Sequence, residues 1–133
     1  MDISAFQEQG HVLVTILEIR GSIDSSSADQ LRQRAEDAMK AGAHDLLLDL
    51  THVQYLSSAG LRVINQLFNQ LHPDALHKDL AKTQKGLVDG TFKSPHFKLC
   101  GLNSNVRQVL SMSGFDMFLD IFNDRKSAVA AFE

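Results

Sequence analysis

Apolar and polar positions alternate along the first twenty residues and then switch period several times. Ile3 to Gln7 reads as a short edge strand, and Gly10 supplies the turn into His11 to Ile19. There Val12, Val14, Ile16, Leu17 and Ile19 give a half-buried strand. Gly21 breaks the pattern. Ser22-Ile23-Asp24 follows, and the hydroxyls of Ser25-Ser26-Ser27 are suited to cap a helix by accepting a backbone N–H bond. From Ala28 the apolar residues Ala28, Leu31, Ala35, Ala38 and Met39 fall at helical spacing, with Asp29, Arg32, Arg34, Glu36 and Asp37 on the other side. Ala41-Gly42 predicts the end of that helix.

Leu46 to Leu50 is a nearly continuous apolar run, the pattern of a central strand covered on both faces, and Thr51 to Tyr55 leads out of it. Ala59 to Leu71 returns to helical spacing, with Leu61, Ile64, Leu67, Phe68 and Leu71 inward and Ser57 or Ser58 as cap. His72-Pro73 closes it. Asp74 to Gly90 is polar and lysine-rich and reads as a short helix plus a mobile loop. Phe97 to Cys100 predicts a strand ended by Gly101. Asn103 to Met112 predicts a helix with Val106, Val109, Leu110 and Met112 as its core stripe and Asn103 or Ser104 as its cap. Beyond Gly114, Phe118 to Phe122 reads as a last strand. Asn123 or Asp124 then opens a terminal helix with Ala128, Val129 and Phe132 inward.

Strands alternating with helices after an initial hairpin imply an α/β fold with a mostly parallel sheet. At 133 residues and 44 % hydrophobic composition the chain is expected to form a single domain, 1–133, interrupted by an insert at about 73–96. The 13 basic and 16 acidic residues give a formal charge of -3, too balanced for a nucleic-acid surface. One cysteine, Cys100, excludes an intramolecular disulfide and suits a reducing compartment. With no secretory signal at the N-terminus and no run of 18 or more apolar residues, the expectation is a cytoplasmic chain with no membrane contact.

Candidate chemistry is sparse. His72 and His77 are five apart and share no helical face, so no metal site is expected, and Cys100 in a strand reads as a small buried hydrophobe. Lys85-Gly86 lacks the glycine spacing of a phosphate loop. Ser58-Ala59-Gly60 sits at a strand-to-helix turn, as a hydrolase nucleophile does, with Asp24 and His52 as conceivable partners. A nucleophile elbow, however, has glycine two residues before its serine, and here that residue is Leu56. Two hydroxyls at a helix N-terminus also offer a favourable position for a covalently attached phosphate.

The run Asp49-Leu50-Thr51-His52-Val53-Gln54-Tyr55-Leu56-Ser57-Ser58-Ala59-Gly60-Leu61 resembles the signature of STAS domains, the bacterial anti-sigma factor antagonists. Gly21-Ser22-Ile23-Asp24 resembles their Gly-x-hydrophobic-Asp corner, and Leu110-Ser111-Met112-Ser113-Gly114-Phe115 resembles their late helix end. The three matches come in the family's order and at about its spacing, and together with the strand and helix order they cover nearly the whole chain outside the insert. The resemblance implies a STAS-like mixed sheet of about five strands with four to five helices, the Asp24 and Ser58 corners lying side by side at one end of it.

It also implies an anti-sigma factor antagonist in a partner-switching pathway: unmodified, it binds an anti-sigma factor/serine kinase; phosphorylated at Ser58, or alternatively Ser57, it lets go; a PP2C-type phosphatase resets it. On that reading Asp24, Ser25, Ser57, Ala59, Gly60 and Arg62 make the partner-binding surface. The domain needs no cofactor and has no catalysis of its own. Asp24 has a second reading as a turn or cap residue, and Arg62 as a solvated side chain. The family usually has Asp immediately before the phosphorylated serine and Ser or Thr after it, where this chain has Ser57 and Ala59. Those departures keep a second function open, a phosphorylation-independent STAS scaffold or adaptor in a signalling assembly or lipid-transport complex.

Overall fold

Two neighbouring strands with a glycine between them form the hairpin that starts the sheet. In the computed structural model, which describes residues 1–71, 94–117 and 119–132, β1 (Asp2–Gln9) pairs antiparallel with β2 (Leu13–Arg20), from Asp2 opposite Arg20 to Gln9 opposite Leu13. β3 (Leu46–His52), β4 (Phe97–Cys100) and β5 (Asp120–Phe122) then add in chain order, each parallel to the strand before it. The result among the described residues is a five-stranded mixed sheet in the order β1-β2-β3-β4-β5.

A sheet that grows in one direction collects its right-handed crossovers on one face. Accordingly α1 (Ala28–Lys40), α2 (Ser58–Leu71) and α3 (Ser104–Met112) share one core with Leu17, Ile19, Leu46, Leu48, Leu50, Phe97 and Leu99. α4 (Arg125–Ala131) covers the other face. There Ala128, Val129 and Phe132 pack with Val14, Ile16, Leu47 and Cys100. β3 is therefore covered on both sides: Leu46, Leu47, Leu48 and Leu50 are all fully buried, as the apolar run predicts. Cys100 is buried as well, and burial, followed by the neighbouring Asp49 carboxylate, pushes its thiol up to about 12.

Two expectations for the C-terminal part are corrected. Met112 is 80 % exposed, because a residue two beyond the buried Leu110 points about 200° around the helix from it. The last strand is only Asp120–Phe122. Gly114 takes a φ of 80°, Phe115–Met117 coils into a 3₁₀ turn, and Leu119 N–H bonds back to the Phe115 carbonyl at 3.0 Å, which ties Leu119 to that turn rather than to the sheet. Phe118 is outside the described residues, as are the closure at His72-Pro73, the helix and loop read over Asp74–Gly90, the Lys85-Gly86 stretch and most of the insert. Where the description resumes, the buried Ser94 hydroxyl accepts from Phe97 N–H at 3.0 Å. The His96 carbonyl accepts from Leu46 N–H at 2.8 Å, so the chain is joined to β3 before β4 begins.

Candidate functional site

β2 and β3 end side by side, and their hydrogen-bond ladder continues past both ends. Gly21, at a φ of 108° that suits glycine, donates to the His52 carbonyl at 3.1 Å. Ile23 N–H donates to the Tyr55 carbonyl at 2.9 Å, Ser57 N–H donates to the Ile23 carbonyl at 2.9 Å, and Ile23 and Leu56 form a parallel bridge. The two sequence corners, one around Asp24 and one around Ser57 and Ser58, are thus joined backbone to backbone.

The Asp24 corner is capped differently from the serine-hydroxyl reading. Ser27 stands at the cap of α1, but its side chain makes no cap bond; its Oγ accepts from Asp24 N–H at 3.0 Å and donates to the Ser22 carbonyl at 2.8 Å. The Asp24 carboxylate does the work instead, accepting from Ser26 N–H at 2.9 Å, Ser26 Oγ–H at 2.6 Å and Ser27 N–H at 3.2 Å. A carboxylate accepts several such bonds at once and brings a negative charge to the positive end of a helix. These bonds, the Ser26 hydroxyl first, hold Asp24 below the usual carboxylate range, so it is an anion at the corner. Ser25 is exposed beside it.

At the other corner the two serines separate by role. Ser57 is the cap of α2: its Oγ accepts from Gly60 N–H at 3.3 Å and its carbonyl from Leu61 N–H at 3.0 Å. Ser58 is the first helical residue and is exposed, and its hydroxyl makes no side-chain hydrogen bond among the described residues. Ala59 is half-buried against the core, and Arg62, one turn along, is exposed and makes no ion pair among the described residues. Gly60 faces inward. A Cβ there would lie 2.4 Å from Leu56 Cδ1 and 2.8 Å from Ile23 Cγ2, so glycine lets α2 start directly on the Ile23–Leu56 bridge.

Asn103, the cap expected from the sequence, and a charged cluster around Asp49 also form this end of the sheet. Asn103 caps α3, accepting from Val106 N–H at 2.8 Å, and its amide also donates to the carbonyls of Val53 at 3.1 Å and Gln54 at 3.2 Å, pinning the loop that leads to Ser57. On the α4 face, Asp49 is 4 % exposed within its apolar strand. Its Oδ2 accepts from Arg125 Nε at 3.0 Å and Nη2 at 2.8 Å, and Arg125 Nη2 also bonds Glu18. No sequence signal marks this cluster, because its partners are scattered over β2, β3 and α4.

The hydrolase constellation is not assembled. His52 lines a cleft with Asp49, Asp124, Arg125 and Lys126 on the α4 side, and neither Asp24 nor Ser58 lines it. A histidine–carboxylate pair does exist, His96 Nδ1 to Asp45 Oδ1 at 2.9 Å, but at the opposite end of β3, about 23 Å away for a strand of that length. Among the described residues no group of three or more His, Cys, Asp or Glu is placed to hold a metal ion, and no helix is long and apolar enough to cross a membrane. His72 and His77 lie outside the described residues.

The family model of the STAS domain matches residues 5–84. BtrV of Bordetella bronchiseptica, provisionally named an anti-sigma factor antagonist, is 32 % identical over 115 residues, 86 % of this chain and 83 % of its own. An anti-sigma factor antagonist from Mycobacterium paratuberculosis has the same fold, with a TM-score of 0.72 at 18 % identity over 98 % of this chain and 94 % of that one. The anti-sigma factor antagonist SpoIIAA matches in its unphosphorylated form with a TM-score of 0.61 at 12 % identity, over 96 % of this chain and 93 % of its own. In its phosphorylated form, from Bacillus, it matches with a TM-score of 0.60 at 14 % identity, over 95 % and 96 %.

Proposed function

Since the chain belongs to the STAS domain family, with anti-sigma factor antagonists as its relatives, we propose that it is an antagonist gated by phosphorylation at Ser58. Unmodified, it binds an anti-sigma factor/serine kinase through the surface formed by Asp24, Ser25, Ser57, Ala59 and Arg62, with Gly60 setting the helix in place. The kinase transfers the γ-phosphoryl group of ATP to Ser58. The Oγ–P bond forms, ADP leaves, and the hydroxyl proton passes to the kinase's base. A PP2C-type phosphatase hydrolyses the ester and restores the binding form. The domain is the substrate in both steps and contributes no catalysis of its own.

One observation carries this reading: Ser58 is exposed at the first position of α2, beside a corner that already holds the Asp24 anion. A phosphate there meets free backbone N–H groups and the positive end of the helix, so the modification is compatible with the fold. It adds about -1.5 to -2 charges to a docking surface next to Asp24. Switching a partner from nearly all bound to nearly all free needs about 5.5 kcal/mol of differential affinity. Charge repulsion supplies a part and the steric and desolvation cost of a buried phosphate the remainder. Ser58 rather than Ser57 is the acceptor because the Ser57 hydroxyl is engaged in capping Gly60 N–H.

The phosphorylation-independent adaptor is the second reading, and the observation that favours it is Ser57 in the place where relatives of this type usually have an acid. The experiment incubates the protein with ATP and an anti-sigma factor/serine kinase from the same organism, maps the product by mass spectrometry, and measures partner binding for Ser58→Ala and Ser58→Asp. Phosphate on Ser58, with binding retained in Ser58→Ala and lost in Ser58→Asp, is the expected result. An unmodified Ser57–Ser58 pair with equal binding by every variant overturns the gated reading in favour of the adaptor.

A further inference from the structure

β2 and β3 do not stay in simple register. Glu18 is opposite Asp49, but Arg20 is opposite His52, so β3 spends one residue more than β2 over this step, a bulge in a parallel pair. A bulge takes an amide out of the ladder and leaves it to find another acceptor. Asp49 provides it: its Oδ1 accepts from Thr51 N–H at 3.1 Å and from Thr51 Oγ–H at 2.6 Å. The other oxygen, Oδ2, is held by Arg125. Arg125 in turn bonds Glu18 of β2, lies 3.9 Å from Glu8 of β1 and stacks 4.8 Å from the ring centroid of Phe6. The extra residue is locked from the far side of the sheet by a helix that contains none of the site residues. Gly101 closes the remaining side, since a Cβ there would stand 2.2 Å from Thr51 Oγ1.

The register after the bulge decides where the serines lie. A one-residue slip of a strand moves each side chain by about 3.3 Å and to the opposite face. The pairs that follow, Gly21 with His52, Ile23 with Tyr55 and Ser57 with Ile23, all depend on the extra residue being kept. We propose that Asp49, Thr51 and Arg125 are positioning residues for the Ser58 corner: they hold the β3 bulge that sets Ser57 and Ser58 against Asp24. This rests on the phosphorylation-gated reading only for its effect on the kinase; the effect on corner geometry stands independently. The clamp touches neither corner, so its loss changes how well Ser58 is presented without removing any group from the docking surface.

The test uses the whole protein and the variants Arg125→Met, Thr51→Val and Arg125→Lys. Backbone amide spectra and hydrogen exchange are read at Ile23, Ser57 and Gly60, with Ala35 in α1 as the internal control. Arg125→Met and Thr51→Val are expected to move these three amide resonances and speed their exchange by tenfold or more while Ala35 stays unchanged, with Arg125→Lys restoring most of the wild-type behaviour. With the kinase, KM for the protein rises about tenfold in Arg125→Met at a kcat within twofold. Corner amides that stay at their wild-type positions in Thr51→Val overturn the proposal and leave the clamp a purely stabilising contact. If Arg125→Met does not fold, Thr51→Val decides. If the kinase leaves wild-type Ser58 unmodified, the gating reading fails while the amide measurements still judge the positioning.

Discussion

The N–H of Ser57 donates to the carbonyl of Ile23 at 2.9 Å, so the residue before Ser58 and the residue before Asp24 are hydrogen-bonded to each other. Neither corner can shift along the strand direction without breaking that bond. A partner that reads both corners therefore meets one rigid surface rather than two loops that must be ordered on binding.

Gly60→Ala tests how closely α2 is seated on this junction. The added methyl overlaps Leu56 Cδ1, a flexible chain end, and Ile23 Cγ2, which is fixed on a β-branched stem. Overpacking of this kind costs about 1–3 kcal/mol, against a helix-propensity gain of about 1 kcal/mol at most. Urea unfolding should show a net loss, with faster exchange at Ser57 N–H than the global loss explains. An unchanged midpoint would mean that the helix start relaxes freely.

Acid sensitivity should run through the Arg125 cluster. For Asp49, burial alone would raise the carboxyl, but the two Thr51 bonds and Arg125 outweigh it and leave it below its ordinary value. Glu18 is lowered mainly by its hydrogen bond from Arg20, with burial opposing and Arg125 adding to the lowering. Groups depressed in the folded state stabilise it above their unfolded values of about pH 4, and that contribution is lost as pH falls through the folded values. The stability gap between wild type and Arg125→Met, read from urea midpoints, should be full at pH 7 and shrink below about pH 4. A gap that stays constant down to pH 2.5 would remove Asp49 and Glu18 from the account.

Lys98 gives a contrasting case. It is 5 % exposed, donates to the Ser94 carbonyl at 3.2 Å and to Asp120 at 3.3 Å, and stands 5.4 Å and 5.9 Å from the ring centroids of Phe132 and Phe122. Desolvating the ammonium offsets much of what these contacts contribute, and Asp120, 39 % exposed, can turn to water if its partner is lost. Lys98→Met should change stability by no more than about 1 kcal/mol, in contrast to the several kcal/mol that breaking a fully buried pair costs. Thermal and urea unfolding of the two proteins decide it.

What could be read from the sequence follows the range of the forces involved. The hairpin pairing, the Leu46–Leu50 run, α1 and the capping residues Asn103 and Asp124 are local patterns, and each is found as read; β2, expected to be half-buried, is instead covered on both faces, because α4 packs on Val14 and Ile16. The two corners were legible as motifs, and their contact follows from β2 and β3 being neighbours. The cap at Asp24 was obscured by three consecutive serines, all good caps in isolation. Met112 follows the apolar stripe in sequence but not around the helix, so its spacing alone misplaces it. The Asp49–Arg125 pair was out of reach: its members are 76 residues apart, and nothing in the spacing of charges records which helix will cover the second face.

The strand order β1-β2-β3-β4-β5 is also the order in which the ribosome makes the strands. Each new strand finds its neighbour already present, so no slot in the middle of the sheet has to be kept open for a later arrival. The β1–β2 hairpin closes the shortest loop and forms at the least entropic cost, and the parallel strands add outward from it. Ile23 and Ser57 are both available once β3 and the start of α2 have emerged, whereas Arg125 comes only after β5. The groups that make the serine corner are therefore complete before the residue that fixes it is made, and a nascent chain can show a recognisable corner before it shows a firm one.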